Sequence, residues 1–154
     1  MAKSTVSIED GIINVYTYFD DEKFRLPEDI TELPPDDLRA CHKYWGENYV
    51  FCMNRVSFIQ GKIKSTEYLR NKRYRKKFIE FKERRLANDL ARAKAEDSKS
   101  VQKYDDRLIV YRLHESRWIN LMQSCDTLKA VCSRDQSYRE KELDHYNKRG
   151  GQGR

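Results

Sequence analysis

Thirteen lysines and arginines fall between Lys62 and Lys94, threaded with aromatic residues, and only Glu67, Glu80, Glu83 and Asp89 oppose them. This stretch therefore carries a net charge of +9 in a chain whose total is +6. Ammonium and guanidinium groups at this density either repel one another or are neutralised by a partner, and nucleic-acid phosphate is the commonest partner able to do so. On a helix, Arg73, Lys76, Lys77 and Arg84 share one broad face, while Arg75, Lys82, Arg85 and Arg92 cover the neighbouring one. Tyr74, Phe78 and Phe81 run between them. Charged side chains would meet phosphates, and aromatics such as Tyr68 and Tyr74 could offer ring faces to unpaired bases. The candidate nucleic-acid-binding residues are Lys82, Arg84, Lys76, Lys77, Arg73, Arg75, Arg85 and Tyr74.

The plainer alternative is a solvated face braced by local ion pairs, such as Glu80 with Lys76 or Arg84 and Asp89 with Arg85. Four acids cannot pair with thirteen bases, so that reading leaves the surplus unexplained. The sequence has no RRM signature, zinc finger, bZIP pattern or short recognition helix. Single-strand or sequence-independent contact is expected, with an affinity that falls steeply as salt rises. A basic amphipathic helix can also lie on an acidic membrane. Here the aromatic spacing reads as a packing seam, and no apolar run is long enough to span a bilayer.

Motifs that carry catalysis are missing: there is no P-loop, GxGxxG, HExxH, GxSxG or DxD constellation, and an enzyme is not expected. The pairs Asp20-Asp21, Asp36-Asp37 and Asp105-Asp106 read as turns or helix starts. Cys41, Cys52, Cys125 and Cys132 form no CxxC and no Cys/His metal spacing, so they read as core thiols. His42, His114 and His145 are scattered and read as solvated or packed. No cofactor and no metal are expected.

The elements that must position this charge are helical. Charged residues make up 36% of the chain and hydrophobic ones 38%, with six Gly and three Pro, a balance that suits long helices better than a compact α/β enzyme. Residues 1–37 hold ten acids against three bases, and all three prolines (27, 34, 35) lie there, excluding a long helix. Within this block, GIINVYTYFDD could be a short strand or hairpin, or an irregular arm that docks its aromatics onto helices. The start MAKSTVSIEDG has neither a signal-peptide core nor a transit-sequence pattern, so a soluble, cytoplasmic protein is expected.

Pro34-Pro35-Asp36-Asp37 is a helix start. Leu38, Trp45, Cys52 and Ile59 then repeat every seven residues, with Tyr49, Val56 and Ile63 at the complementary spacing. The spacing predicts one helix from about 36 to 94, with a kink at Gly61 left open. AEDSKS at 95–100 interrupts it, and Asp97 or Ser98 can cap the next helix. There Val101, Tyr104, Leu108, Tyr111, Trp118, Met122, Cys125 and Cys132 form a stripe of coiled-coil quality, broken by Glu115 and Lys129.

The expected fold is all-α: a long αα-hairpin or coiled coil with an irregular acidic N-terminal arm at 1–35, a helical domain at 36–146 and a disordered basic tail at 147–154. Ile109, Leu113, Ile119, Leu121, Leu128 and Val131 need cover beyond one seam. Either self-association or burial against the arm would provide it. Leu108, Tyr111, Trp118, Met122 and Cys125 are the candidate oligomerisation residues.

This layout resembles the bacteriophage recombination mediators of the UvsY type over roughly residues 31–145. The likeness rests on the segment YWGENYVFCMNRVSFIQGKIKSTEY and a Lys-rich stretch ending in Lys-x-Arg (Phe81-Lys82-Glu83-Arg84). After a polar break comes DRLIVYRLHESRWINLMQSCDTLKAVCSR, closing on Ser133-Arg134. RRLAND departs from the family's usual continuation, and the acidic arm is extra. The resemblance implies a non-enzymatic protein that binds single-stranded DNA through Lys82 and Arg84. It further implies a ring-like homo-oligomer formed through the C-terminal helices. Such a protein loads a RecA-like recombinase onto DNA coated by single-strand binding protein, in the cytoplasm of a phage-infected bacterium. A helical scaffolding protein and an RNA-binding helical hairpin are the alternatives.

Overall fold

The structure, a computed structural model, describes Tyr18, Phe19 and residues 21–150, with side chains to residue 148. Most of the apolar run Gly11–Asp21 lies outside the described residues. The described chain is all-α: α1 spans Pro35–Glu83, α2 spans Asn88–Glu96 and α3 spans Lys99–Gly150, preceded by 3-10 turns at Glu22–Phe24 and Ile30–Glu32. It divides into two compact units, one joining residues up to Met53 with those from Ile119 onward, the other being Asn54–Trp118.

The start of α1 follows its sequence signal. The Pro34 carbonyl accepts the Leu38 amide at 3.0 Å, Pro35 takes the first helical position, and Asp36 and Asp37 lie in the first turn. There the acids favour the exposed amide end of the helix dipole. The helix runs through Gly61 without interruption, and a Cβ added at that glycine would meet nothing within 4 Å.

The end of α1 corrects the expected span. The helix stops at Glu83, not near 94, because the chain closes there in a Schellman arrangement. The Arg85 amide donates to the Lys82 carbonyl (2.9 Å) and the Leu86 amide to that of Phe81 (3.4 Å), while Arg85 takes a left-handed φ of 61°. A separate short helix, α2, follows, with Ala91 and Ala95 fully buried one turn apart. Ser98 then opens α3. Its carbonyl accepts the amides of Val101 (2.8 Å) and Gln102 (3.0 Å), and its hydroxyl turns back to donate to the Ala95 carbonyl (2.9 Å). Because α3 continues to Gly150, residues 147–150 of the expected tail are helical; residues 151–154 lie outside the described residues.

In the first unit α1 and α3 run antiparallel. Gly46 faces Lys129, whose ammonium sits over the Tyr49 ring at 5.1 Å, and the Cys52 thiol meets that of Cys125. Leu38, Cys41, Trp45, Cys52, Leu121, Cys125 and Cys132 form the core, and all four cysteines are free thiols. Burial, and then the nearby Cys41, push the Cys132 thiol up to about 11, while the Cys52 contact, then burial, raise Cys125 and the same contact lowers Cys52. Cys41, Cys125 and Cys132, all raised, pack as small apolar side chains and are poor nucleophiles.

The described part of the arm docks on this unit. Phe24 stacks on Tyr44 (4.1 Å between centroids, 10° between planes), and the edge of Phe19 meets Trp45 at 6.3 Å. The indole of Trp45, fully buried, donates to the Phe24 carbonyl at 3.2 Å. Arg139 fixes the other end, donating to the carbonyls of Leu33 (2.7 Å), Ile30 (3.1 Å) and Thr31 (3.2 Å) while its Nε bonds Asp135 at 2.6 Å.

The second unit is an αα-hairpin whose two long helices are joined through α2. Val56, Ile63, Ala91, Ala95, Val101 and Leu108 are buried, together with the hydroxyl-bearing Thr66. Charged pairs cross between its long helices: Arg70 grips Asp105 with two bonds (2.6 and 3.3 Å) and Arg112 reaches Glu67 at 3.1 Å. At the other end the Arg55 guanidinium lies 5.9 Å above the Trp118 ring.

These seams revise the oligomerisation residues. Leu108 and Cys125 are buried within their own chain and offer no surface to a second copy. Tyr111, Trp118 and Met122 are half-buried, each within a single chain's structure. Leu121 is buried in cis as well, whereas Ile109, Val110 and Leu113 remain exposed.

Candidate nucleic-acid interface

The second unit concentrates the positive charge. Residues 54–118 hold nineteen Lys/Arg against nine Asp/Glu, a net of +10, so the rest of the chain is −4. An α-helix turns about 100° per residue, so the side of α1 opposite the buried Val56, Ile63 and Thr66 can be read from spacing and exposure together. That outward side is a stripe of Gly61, Lys64, Tyr68, Lys72, Arg75, Ile79 and Lys82, all exposed, separated by steps of three and four. It contains four cations, and the exposed Glu83 lies beside Lys82 on the same side, in the last turn of α1. Tyr68 is 67% exposed and Ile79 56%.

The eight residues predicted from sequence do not share one face. Arg75 and Lys82 lie on the outward stripe, and Lys82 also donates to the Leu86 carbonyl at 3.2 Å, securing the end of α1. Arg73, Lys76 and Lys77 surround Glu80: Lys77 pairs with it directly, and the three cations hold its carboxyl below the ordinary carboxylate range. Arg73 and Lys77 are half-buried, so this second group serves partly to settle a local charge cluster. Arg84 and Arg85 are exposed beyond the last turn, with the Arg84 guanidinium 5.6 Å above the Phe81 ring. Tyr74 is half-buried and stacks on Phe78, their centroids 6.4 Å apart and planes 15° from parallel, which engages one of its faces.

Sequence reasoning missed Lys64 and Lys72 as site residues because a dense basic run gives no rank among its members. The signal that finds them is the position of the buried stripe, which fixes the opposite side. Beside this surface, a cleft of about 410 Å³ is lined by Glu67, Arg70, Asn71, Asp105, Leu108, Ile109 and Arg112. Its two cations already engage its two carboxylates, so it carries no surplus for phosphate and acts chiefly as the clamp between the two arms. Among the described residues, no group of three or more His, Cys, Asp or Glu is placed to hold a metal ion, and no helix is long and apolar enough to cross a membrane.

No protein-family model matches the chain, and comparison with curated proteins and with solved structures finds no match.

Proposed function

We propose that the second unit binds single-stranded nucleic acid independently of sequence, and that the chain is a recombination mediator helping a RecA-like recombinase replace single-strand binding protein on DNA. The observation that carries the binding reading is the outward stripe of α1, where Lys64, Lys72, Arg75 and Lys82 are exposed and the one acid on that side, Glu83, lies at its end. Such a row releases counterions when it meets a phosphate backbone, and it is held on a helix braced by the Arg70–Asp105 and Arg112–Glu67 pairs. The mediator role comes from the resemblance of residues 31–145 and of Lys82-Glu83-Arg84 to the phage family. In that role, several copies assembled together would multiply weak contacts into firm binding.

The test is a gel-shift comparison of single-stranded DNA, duplex DNA and RNA, with recombinase loading on coated DNA as a second readout. Single-stranded DNA is expected to bind most tightly. A Lys82→Ala/Arg84→Ala variant should weaken binding and reduce the salt slope by about 1.4, at roughly 0.7 for each phosphate no longer neutralised. Unchanged affinity and slope would remove those two residues from the site, and a preference for RNA would move the reading to an RNA-binding hairpin. The exposed Ile109, Val110 and Leu113 favour a second reading, an assembly scaffold. A self-associating chain that shifts no nucleic acid at low salt would select it.

A further inference from the structure

Tyr68 differs from every other aromatic residue on the second unit's part of α1. Tyr74 and Phe78 occupy each other's faces, the Arg84 guanidinium lies over Phe81, and the Lys62 ammonium lies 5.4 Å above Phe58. Tyr68 is 67% exposed on the outward side. Lys64 and Lys72 flank it one turn before and one turn after, about 6 Å along the axis at 1.5 Å per residue. Arg75 continues the row. A flat ring held in water between two ammonium groups, with no carboxylate among the residues one turn away (Lys64, Ser65, Asn71 and Lys72), matches one kind of ligand: a polyanion that also carries unsatisfied flat apolar faces.

We propose that Tyr68 is a stacking platform for an unpaired nucleobase, with Lys64 and Lys72 holding the phosphates on either side, and that this ring makes the surface selective for single strands. The proposal rests on the nucleic-acid reading above and adds its source of strand selectivity. In a duplex each base is covered by its neighbours in the stack, so the ring finds no face to meet, whereas lysines reach the phosphates of either form. The two kinds of side chain therefore separate by experiment: the ring contributes to single-strand affinity alone, the lysines to both.

The experiment is fluorescence anisotropy of the full chain with a labelled mixed-sequence single strand and with the matching duplex, across a salt series. Tyr68→Ala is expected to weaken single-strand binding roughly tenfold, to leave duplex binding within about twofold, and to leave the salt slope unchanged. Tyr68→Phe, which keeps the ring, should bind as the wild type does. Lys64→Ala/Lys72→Ala should weaken both ligands and lower the single-strand salt slope by about 1.4. Equal losses on single strand and duplex, or no loss on either, would overturn the platform while leaving the nucleic-acid reading standing. A lower sedimentation mass for Tyr68→Ala without DNA would place the ring against a second copy and overturn the platform too. Failure of the wild type to bind any strand at low salt would instead overturn the underlying reading, and the platform with it.

Discussion

Arg85 closes α1 in a backbone conformation that side chains with a Cβ adopt at a cost of about 1–2 kcal/mol, and that glycine adopts freely. Its exposed cation at the edge of the basic surface gives a reason for an arginine to hold this position. Arg85→Gly should therefore raise the thermal midpoint, by up to about 1 kcal/mol of stability once the greater freedom of the unfolded glycine chain is set against the relieved strain. Arg85→Val, which places a β-branched side chain at positive φ, should lower it. Circular-dichroism melts giving the order Gly, Arg, Val from highest to lowest midpoint agree with this assignment; a midpoint for Arg85→Gly below the wild type contradicts it. The same residue explains why the end of α1 was illegible in the sequence. Helix ends are read from glycine or asparagine, and RRLAND places neither at the left-handed position. The glycine that does interrupt the pattern, Gly61, lies in mid-helix with open space around it.

At the scale of elements, the apolar seams were legible because large side chains at three- and four-residue spacing leave few other ways to be buried. Leu38, Trp45, Cys52, Val56, Ile63, Val101, Leu108, Cys125 and Cys132 are all buried where that spacing put them. Farther along α1 the seam turns polar: Thr66 is buried and Arg70 and Lys77 are half-buried, positions that a reading by hydropathy assigns to the surface. Arg70 is tolerated there because Asp105 meets it with two bonds, a partner visible only once α3 is folded back beside it. Docking of the arm through its aromatics was one of the readings the sequence allowed, but the clasp at its other end was hidden, since Arg139 binds backbone carbonyls and a carbonyl leaves no mark in sequence. Arg139→Ala removes the donors to Ile30, Thr31 and Leu33 and leaves the buried Asp135 without its partner. That loss, about 2–3 kcal/mol in arm docking, should speed limited tryptic cleavage after Lys23 and Arg25 by tenfold or more. Unchanged cleavage would mean that the aromatic contacts of Phe19 and Phe24 hold the arm without the guanidinium.

Across the whole molecule the charge is unevenly shared, +10 on residues 54–118 and −4 on the remainder. Sequence located the surplus and put Lys82 and Arg84 first, but the packing seam decides which part of it faces outward. This moves the emphasis to the row Lys64, Lys72, Arg75 and Lys82, which keeps Arg75 and Lys82 of the eight candidates and adds Lys64 and Lys72. In the function proposed above, a nucleic-acid backbone lies along this row. The most direct measurement is the equilibrium affinity of the full chain for a labelled single-stranded oligonucleotide over a salt series, with the wild type beside Lys64→Glu/Lys72→Glu/Arg75→Glu. These three side chains are exposed, so the substitutions leave the core untouched. The wild-type log affinity should fall linearly with log salt, and the variant should bind at least 100-fold more weakly at low salt with a slope shallower by about 2, at roughly 0.7 for each phosphate that loses its cation. A variant that binds like the wild type, or a wild-type affinity indifferent to salt, would contradict it.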